Sequence, residues 1–176
     1  ILDLGEIGLP YFTETATEQV PSAPLALVYC SSCSALQLRE VVEREALFLK
    51  YGYRSNINTT MRNHLIGLAQ EAAQRARIQK DSVVVDIGSN DGTFLAALPT
   101  GIRVGFEPSD AALESPPGQT VIQQFFSARA FREAYPGKKA SLVTAIAMLY
   151  ALESPGMFLG EVAQILADEG VLCVEM

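Results

Sequence analysis

From residue 81 onward the apolar residues come in short unbroken runs, separated by polar stretches with helical periodicity. The runs at 83–87, 102–107, roughly 119–123, 141–147 and 170–176 read as strands. Helices are expected at 91–98, briefly after Ser109, at 127–134 and at 155–167, with Gly170 as the cap that ends the last of them. Leu142-Val143-Thr144-Ala145-Ile146-Ala147 is apolar on both strand faces, which calls for helices on both sides of the sheet. Strands alternating with helices predict right-handed crossovers, hence an α/β fold around a parallel sheet.

The first 80 residues are patterned differently. Ile57, Met61, His64, Leu68 and Ala72 form one stripe at helical spacing, with Leu65, Ala69 and Ala76 beside it. A long helix is expected there, capped by Asn56 or Asn58. Residues 38–50 read as a short amphipathic helix with a solvated charged face. Residues 1–40 lack strong periodicity: the chain opens at Ile1 in what reads as a strand, 1–9 carry two glycines before Pro10, 11–24 read as a polar loop, and 25–29 as a strand. The resulting partition is a small module at 1–40, a helical linker or lid at 41–80, and the α/β domain at 81–176.

One strand runs into a turn with chemical content. Val83-Val84-Val85-Asp86-Ile87-Gly88-Ser89-Asn90-Asp91-Gly92-Thr93 passes from a β-branched run through an acid and a glycine-rich turn to a helix start. That order builds a nucleotide-binding crevice at the carboxyl end of a parallel strand. Gly88 allows the turn, Gly92 lets the helix pack close against the strand, and Asp86 meets a polar part of the ligand. Asn90 stands where a dinucleotide pattern has its middle glycine, which favours a ligand without bridging phosphates. Glu107 ends the next strand about 20 residues after Asp86, where a carboxylate accepts hydrogen bonds from both hydroxyls of a ribose. The alternative for Glu107 is an ordinary exposed strand-end acid.

Composition narrows the partners. At 176 residues the chain is one domain, or one domain plus a small appendage, and 49% hydrophobic residues can build a sizeable core. A net charge of −7 argues against a nucleic-acid footprint. No apolar run approaches the ~20 residues that span a membrane. Three cysteines do not make a secreted disulfide framework, so a cytoplasmic setting is expected. Cys30-Ser31-Ser32-Cys33, on a turn after a strand, is either half of a tetrahedral zinc site or two small residues in a turn. His64, the single histidine, is expected on or near a packing face in a hydrogen-bonded structural role.

Together these strings resemble the S-adenosylmethionine-dependent C-methyltransferases that act on nucleotide-linked deoxysugars, and their relatives. The matching residues begin with Leu2-Asp3-Leu4-Gly5, Leu9-Pro10 and Cys30-Ser31-Ser32-Cys33 leading to Leu36-Gln37-Leu38. They continue with Tyr51-Gly52-Tyr53-Arg54-Ser55, Thr60-Met61-Arg62-Asn63-His64-Leu65, Asp86 to Thr93 and Gly105-Phe106-Glu107-Pro108-Ser109. The segment from Met148 to Val174 completes the match, which covers essentially the whole chain.

The resemblance implies a Rossmann-like class I methyltransferase sheet preceded by a partial zinc-binding module. Asp86, Gly88, Ser89, Asn90 and Gly92 would line the methionine end of S-adenosylmethionine. Glu107 would hold the ribose, Pro108 would border the adenine, and Ala147 and Met148 would sit near the sulfonium. Tyr53, with Tyr51, would face the sugar, and Cys30 and Cys33 would be two of four zinc ligands. The reaction implied is C-methylation through an enolate. The family's first cysteine pair falls before Ile1 and its histidine-rich catalytic segment after the fifth strand. A fragment that binds cofactor with little turnover is therefore expected, its strand at 170–176 left with an unpaired apolar edge. The tip Ala147-Met148-Leu149-Tyr150 also lacks the Asn/Asp-Pro-Pro-aromatic string of nucleic-acid amino methyltransferases. A nicotinamide-dependent oxidoreductase and a non-catalytic cofactor-binding module remain as alternatives.

Overall fold

The computed structural model describes residues 1–9, 11, 13–15 and 17–176, so Pro10 lies outside the described residues. Those residues form two compact units, Ile1–Tyr53 and Arg54–Met176.

The first unit is built on an antiparallel sheet of β1 (Leu2–Gly8), β2 (Ser22–Tyr29) and β3 (Leu36–Leu38), in that order. More of this unit is strand than its sequence suggests. Pairing starts at Ser22, so Pro24, expected in a loop, lies opposite Glu6 within the sheet. The register of β1 shifts between Asp3 and Glu6, where Gly5 takes a left-handed φ of 70° and donates its N–H to Asp3 Oδ1 at 2.9 Å. A bulge of this kind breaks the period-two alternation of the strand expected at the start of the chain. The helix expected at 38–50 shrinks to α1 (Arg44–Phe48). Leu38 is paired with Leu27 in β3, and the Arg39 N–H still donates to the Ala26 carbonyl at 2.8 Å, so the chain stays extended past the expected helix start.

In the second unit, α2 (Thr59–Arg75) is capped by Asn58, whose Oδ1 accepts the N–H groups of Thr60 and Met61 at 2.9 and 3.1 Å. Its buried face is Leu65, Ala69, Ala72 and Ala73. The expected stripe is thus rotated: Ile57 precedes the helix and is exposed, and His64 is exposed as well. Small alanines take the contact because they let the helix approach the sheet closely.

The sheet follows as β4 (Val83–Ile87), β5 (Ile102–Phe106), β6 (Thr120–Ile122), β7 (Ala140–Ile146) and β8 (Leu166–Glu175), all parallel in the order β6-β5-β4-β7-β8. The connections carry α3 (Thr93–Ala97), a 3₁₀ turn at Asp110–Glu114, α4 (Ala128–Ala134) and α5 (Pro155–Ile165). Alternate residues of one strand enter two separate cores, as a period of two dictates. Val83, Val85 and Ile87 pack with Phe131 of α4 and Phe158, Val162 and Ile165 of α5. Val84 and Leu142 pack with α2 and with Phe94 and Leu95 of α3. Helices therefore cover both faces, as the uniformly apolar strands require.

Two details differ from expectation. Gly170 caps no helix: α5 ends at Ile165, and Gly170 lies inside β8, where the register against β7 shifts between Ala140 and Leu142. A Cβ there would come within 2.9 Å of the Ala140 carbonyl oxygen, so glycine answers a close backbone approach. β8 is the last strand in the sheet order and pairs with β7 alone among the described residues. No described helix is long and apolar enough to cross a membrane.

Candidate cofactor site

The site grows from the ends of β4, β5 and β7, which lie side by side. After Ile87 the chain turns at Gly88, whose left-handed φ of 75° suits glycine. The N–H groups of Gly88 and Ser89 both donate to the Phe106 carbonyl, at 2.8 and 3.1 Å, folding the turn over the end of β5. Asn90 follows with φ of 51°, a conformation that asparagine tolerates better than most side chains. Gly92, also left-handed at 74°, leads into α3. Its crowding neighbours are the Gln119 and Ser115 side chains, so its backbone conformation, and not a close approach to β4, demands the glycine.

Glu107 is buried and pins this turn. Its Oε2 accepts the Asn90 N–H and its Oε1 accepts the Ser109 N–H, both at 2.9 Å. The reading of Glu107 as an ordinary exposed acid therefore fails. Asp86, 3% exposed, accepts a hydrogen bond from Thr144 Oγ1 at 2.6 Å. Burial lifts its carboxyl to about 7; the Thr144 hydroxyl opposes this and the Glu107 charge adds to it. Two buried carboxylates thus stand at neighbouring strand ends.

Sequence reasoning missed three participants. Gly105 lies directly beside Asp86 across the β4–β5 pair. A Cβ on it would fall 2.4 Å from Ser89 Oγ and 3.0 Å from Ser89 Cβ, so its bareness lets the turn lie on β5. The signal was available as a glycine inside an apolar strand. Gly105→Ala is expected to destabilise by about 1–3 kcal/mol through overpacking, read as a lower urea midpoint; an unchanged midpoint would show that the turn does not rest there. Arg54, only 12% exposed, donates to Glu114 at 2.7 Å and Asp110 at 3.0 Å. Next to it the Ser55 N–H donates to Asn90 Oδ1 at 3.0 Å and the Asn56 N–H to Asp91 Oδ2 at 2.8 Å. Residues 54–56 therefore strap the chain before α2 onto the turn. Thr144, the third, was read only as part of an apolar strand.

At the tip of β7, Ala147 adopts a left-handed φ of 52° and donates its N–H to the Glu175 carbonyl at 2.8 Å. Alanine pays about 1 kcal/mol for that geometry, so Ala147→Gly should raise stability by roughly that amount in a denaturant titration. A loss of stability would contradict this backbone assignment. The Met148 side chain reaches across to Gly88, lying 3.7 Å from where a Cβ would stand.

The structure thus gathers Asp86, Gly88, Ser89, Asn90, Gly92, Glu107, Ala147 and Met148 at one sheet end, with half-buried Pro108 between Glu107 and Ser109. Tyr51 and Tyr53 belong to the first unit, where the Tyr51 ring lies 5.9 Å from Phe48 and 6.3 Å from Tyr53. Cys30 and Cys33 also lie in that unit, on the turn between β2 and β3. Hydrogen bonds from the Cys33 and Ser32 backbone hold the Cys30 thiol below its usual range. No group of three histidine, cysteine or acidic residues is placed to hold a metal among the described residues.

A glycine-rich turn on a parallel sheet serves several cofactor families, and comparison with known proteins separates them. Residues 57–176 match the methyltransferase domain family. The chain belongs to that family. The chain is 28% identical over 158 residues to the C-methyltransferase NovU of Streptomyces niveus, a match covering 87% of the chain and 38% of NovU. Its fold resembles that of the plantazolicin methyltransferase BpumL, solved with SAH (TM-score 0.53, 16% identity, 69% of this chain and 50% of that one). It also resembles a putative methyltransferase from an antibiotic biosynthesis pathway of Anabaena variabilis (TM-score 0.51, 20% identity, 62% and 45%). The chain therefore spans about half or less of the length of these relatives.

Proposed function

We propose that the chain is the cofactor-binding part of an S-adenosylmethionine-dependent methyltransferase whose acceptor is a carbon atom of a nucleotide-linked deoxysugar or a related small molecule. The observation that carries the reading is the pair of buried carboxylates, Asp86 and Glu107, at adjacent strand ends. The side-chain partner of Asp86 is the neutral hydroxyl of Thr144, so its negative charge is left for a ligand cation to meet. A dinucleotide would instead bring a pyrophosphate toward two acids and the Asn90 side chain. The donor set thus fits a cationic nucleoside, and S-adenosylmethionine supplies a methyl group already activated on a sulfonium.

In this reading Asp86 faces the cationic amino-acid end, and Gly88, Ser89, Asn90 and Gly92 shape the turn around it. Glu107 spends one lone pair of each oxygen on the turn and keeps the others for the ribose hydroxyls. Pro108 borders the adenine, and Ala147 and Met148 flank the reacting methyl. The chain's main contribution to rate is alignment of donor and acceptor. Support for a carbon acceptor comes from the likeness to NovU, and Tyr51 and Tyr53 are proposed to face the sugar. Cys30 and Cys33 are proposed as two ligands of a zinc ion, since one thiol is already biased toward thiolate. Metal analysis tests this: Cys30→Ser with Cys33→Ser should release zinc from the intact protein, and retained zinc would refute it.

Thermal unfolding with added ligand tests the cofactor class. S-adenosylhomocysteine at a hundredfold excess over its dissociation constant should stabilise the chain by about 2.7 kcal/mol, and NADH should leave it unchanged. Protection by NADH alone would overturn the proposal.

A further inference from the structure

Two loops at the cofactor end of the sheet are held by one short segment. Residues 54–56, where the second unit begins, reach both of them. On one side the Ser55 N–H donates to Asn90 Oδ1 and the Asn56 N–H to Asp91 Oδ2, so the segment grips the glycine-rich turn after β4. On the other, Arg54 Nε donates to Glu114 Oε1 at 2.7 Å and its Nη2 to Asp110 Oδ1 at 3.0 Å. Those acids lie in the 3₁₀ turn that follows Glu107-Pro108-Ser109 after β5. A plain connection between two units needs none of this. Asp91 is buried, and its other oxygen already accepts the Thr93 N–H and hydroxyl, so a desolvated carboxylate is committed to the segment. The Arg54 guanidinium lies inside, while its two acidic partners are exposed.

Building on the methyltransferase reading, we propose that residues 54–56 are a clamp on the bound cofactor, with Arg54 as its positioning residue. In that reading the turn after β4 and the loop after β5 are the two walls of the site, and both are tied to the same short segment. Closing the clamp fixes the separation of the walls; opening it frees both at once. A ligand that touches both walls at that separation stabilises the closed clamp, and by reciprocity the closed clamp holds the ligand to the same degree. Arginine suits the task because its guanidinium offers several N–H donors in one rigid plane and can hold two carboxylates together. The assignment also gives Asn90 a reason to stand where a dinucleotide pattern has glycine: its carboxamide oxygen is one grip of the clamp.

The Ser55 and Asn56 amide protons report the clamp directly, since both are its hydrogen-bond donors. Their exchange with solvent is followed by NMR with and without S-adenosylhomocysteine, beside the buried Val84 and Val85 amides of β4 as a measure of global stability. In the free chain the clamp amides should exchange faster than those of β4, through local opening, and the ligand should slow them about tenfold or more. Arg54→Met should speed their exchange in the free chain about tenfold with a smaller effect on β4. The same variant should release S-adenosylhomocysteine about tenfold faster in stopped flow, with association changed far less. Asp110→Asn combined with Glu114→Gln, both on exposed side chains, should act alike while Arg54 stays in place. A residue that serves stability alone would shift the clamp and β4 amides together and leave the release rate unchanged. Clamp amides whose exchange ignores the ligand, or variants that release it at the parent's rate, would overturn the clamp while leaving the cofactor assignment intact. A folded parent that does not bind S-adenosylhomocysteine would overturn the methyltransferase reading itself, and this inference with it.

Discussion

Asp86→Asn should make the ligand-free protein more stable above neutral pH and a poorer binder of its cofactor. Folded Asp86 keeps its proton up to about pH 7, whereas an ordinary aspartate releases it near 3.8. Between those values the folded state holds a proton that the unfolded chain has given up, so stability falls as pH rises through this window. At about 1.36 kcal/mol per pKa unit the loss amounts to about 4 kcal/mol once pH exceeds 7. Asparagine has the same shape and no charge, so the variant escapes that loss. Urea midpoints of the two proteins should converge near pH 4 and separate steadily toward pH 8, with the variant higher. Affinity for S-adenosylhomocysteine should move the other way, falling about tenfold or more at pH 8, because the ligand ammonium loses a charged partner. A variant that is less stable at pH 8, or that binds as tightly as the parent, would refute this account of the buried acid.

Glu107→Ala should be the most damaging single change at the site. Its two oxygens satisfy the N–H groups of Asn90 and Ser109, and removing both leaves two donors without partners beneath the turn. Each such orphan costs about 1–3 kcal/mol, so roughly 2–6 kcal/mol should be lost in denaturant titration. Glu107→Gln should fall between, since its amide oxygen can accept one N–H while its amide NH₂ cannot accept the other. The same variant removes a charge that raises the Asp86 carboxyl. The falling limb of its pH–stability curve should therefore lie lower than that of the parent. Glu107→Ala as stable as the parent would mean that water replaces the carboxylate, and the turn would then need another anchor.

The second unit was readable because its signals are local. A β-branched run, an acid and two glycines within ten positions mark the turn, and apolar runs mark buried parallel strands. What escaped is set by distance and by backbone geometry. Gly105 matters because Ser89 of the neighbouring connection lies on it, and Arg54 because Asp110 and Glu114 come back to it. His64 hydrogen-bonds Glu175 across 111 residues of sequence, so no spacing rule could join them. The left-handed conformation of Ala147 has no sequence mark, since alanine disfavours it. In the first unit, Pro24 disguises a paired strand as loop, and Leu38 reads as helical by periodicity although its partner is Leu27 of the neighbouring strand. Gly170 follows an expected helix in sequence, where glycine is a common cap, but it is the close approach of the Ala140 carbonyl that explains it.

Calorimetric titration with S-adenosylhomocysteine, run on the parent chain and on Asp86→Asn and Glu107→Gln, tests the central claim most directly. Binding on the order of micromolar, weakened by both substitutions in chains that remain folded, is the expected result. A folded parent that releases no heat, or two variants that bind as the parent does, would contradict a methyl-donor site at the ends of β4 and β5.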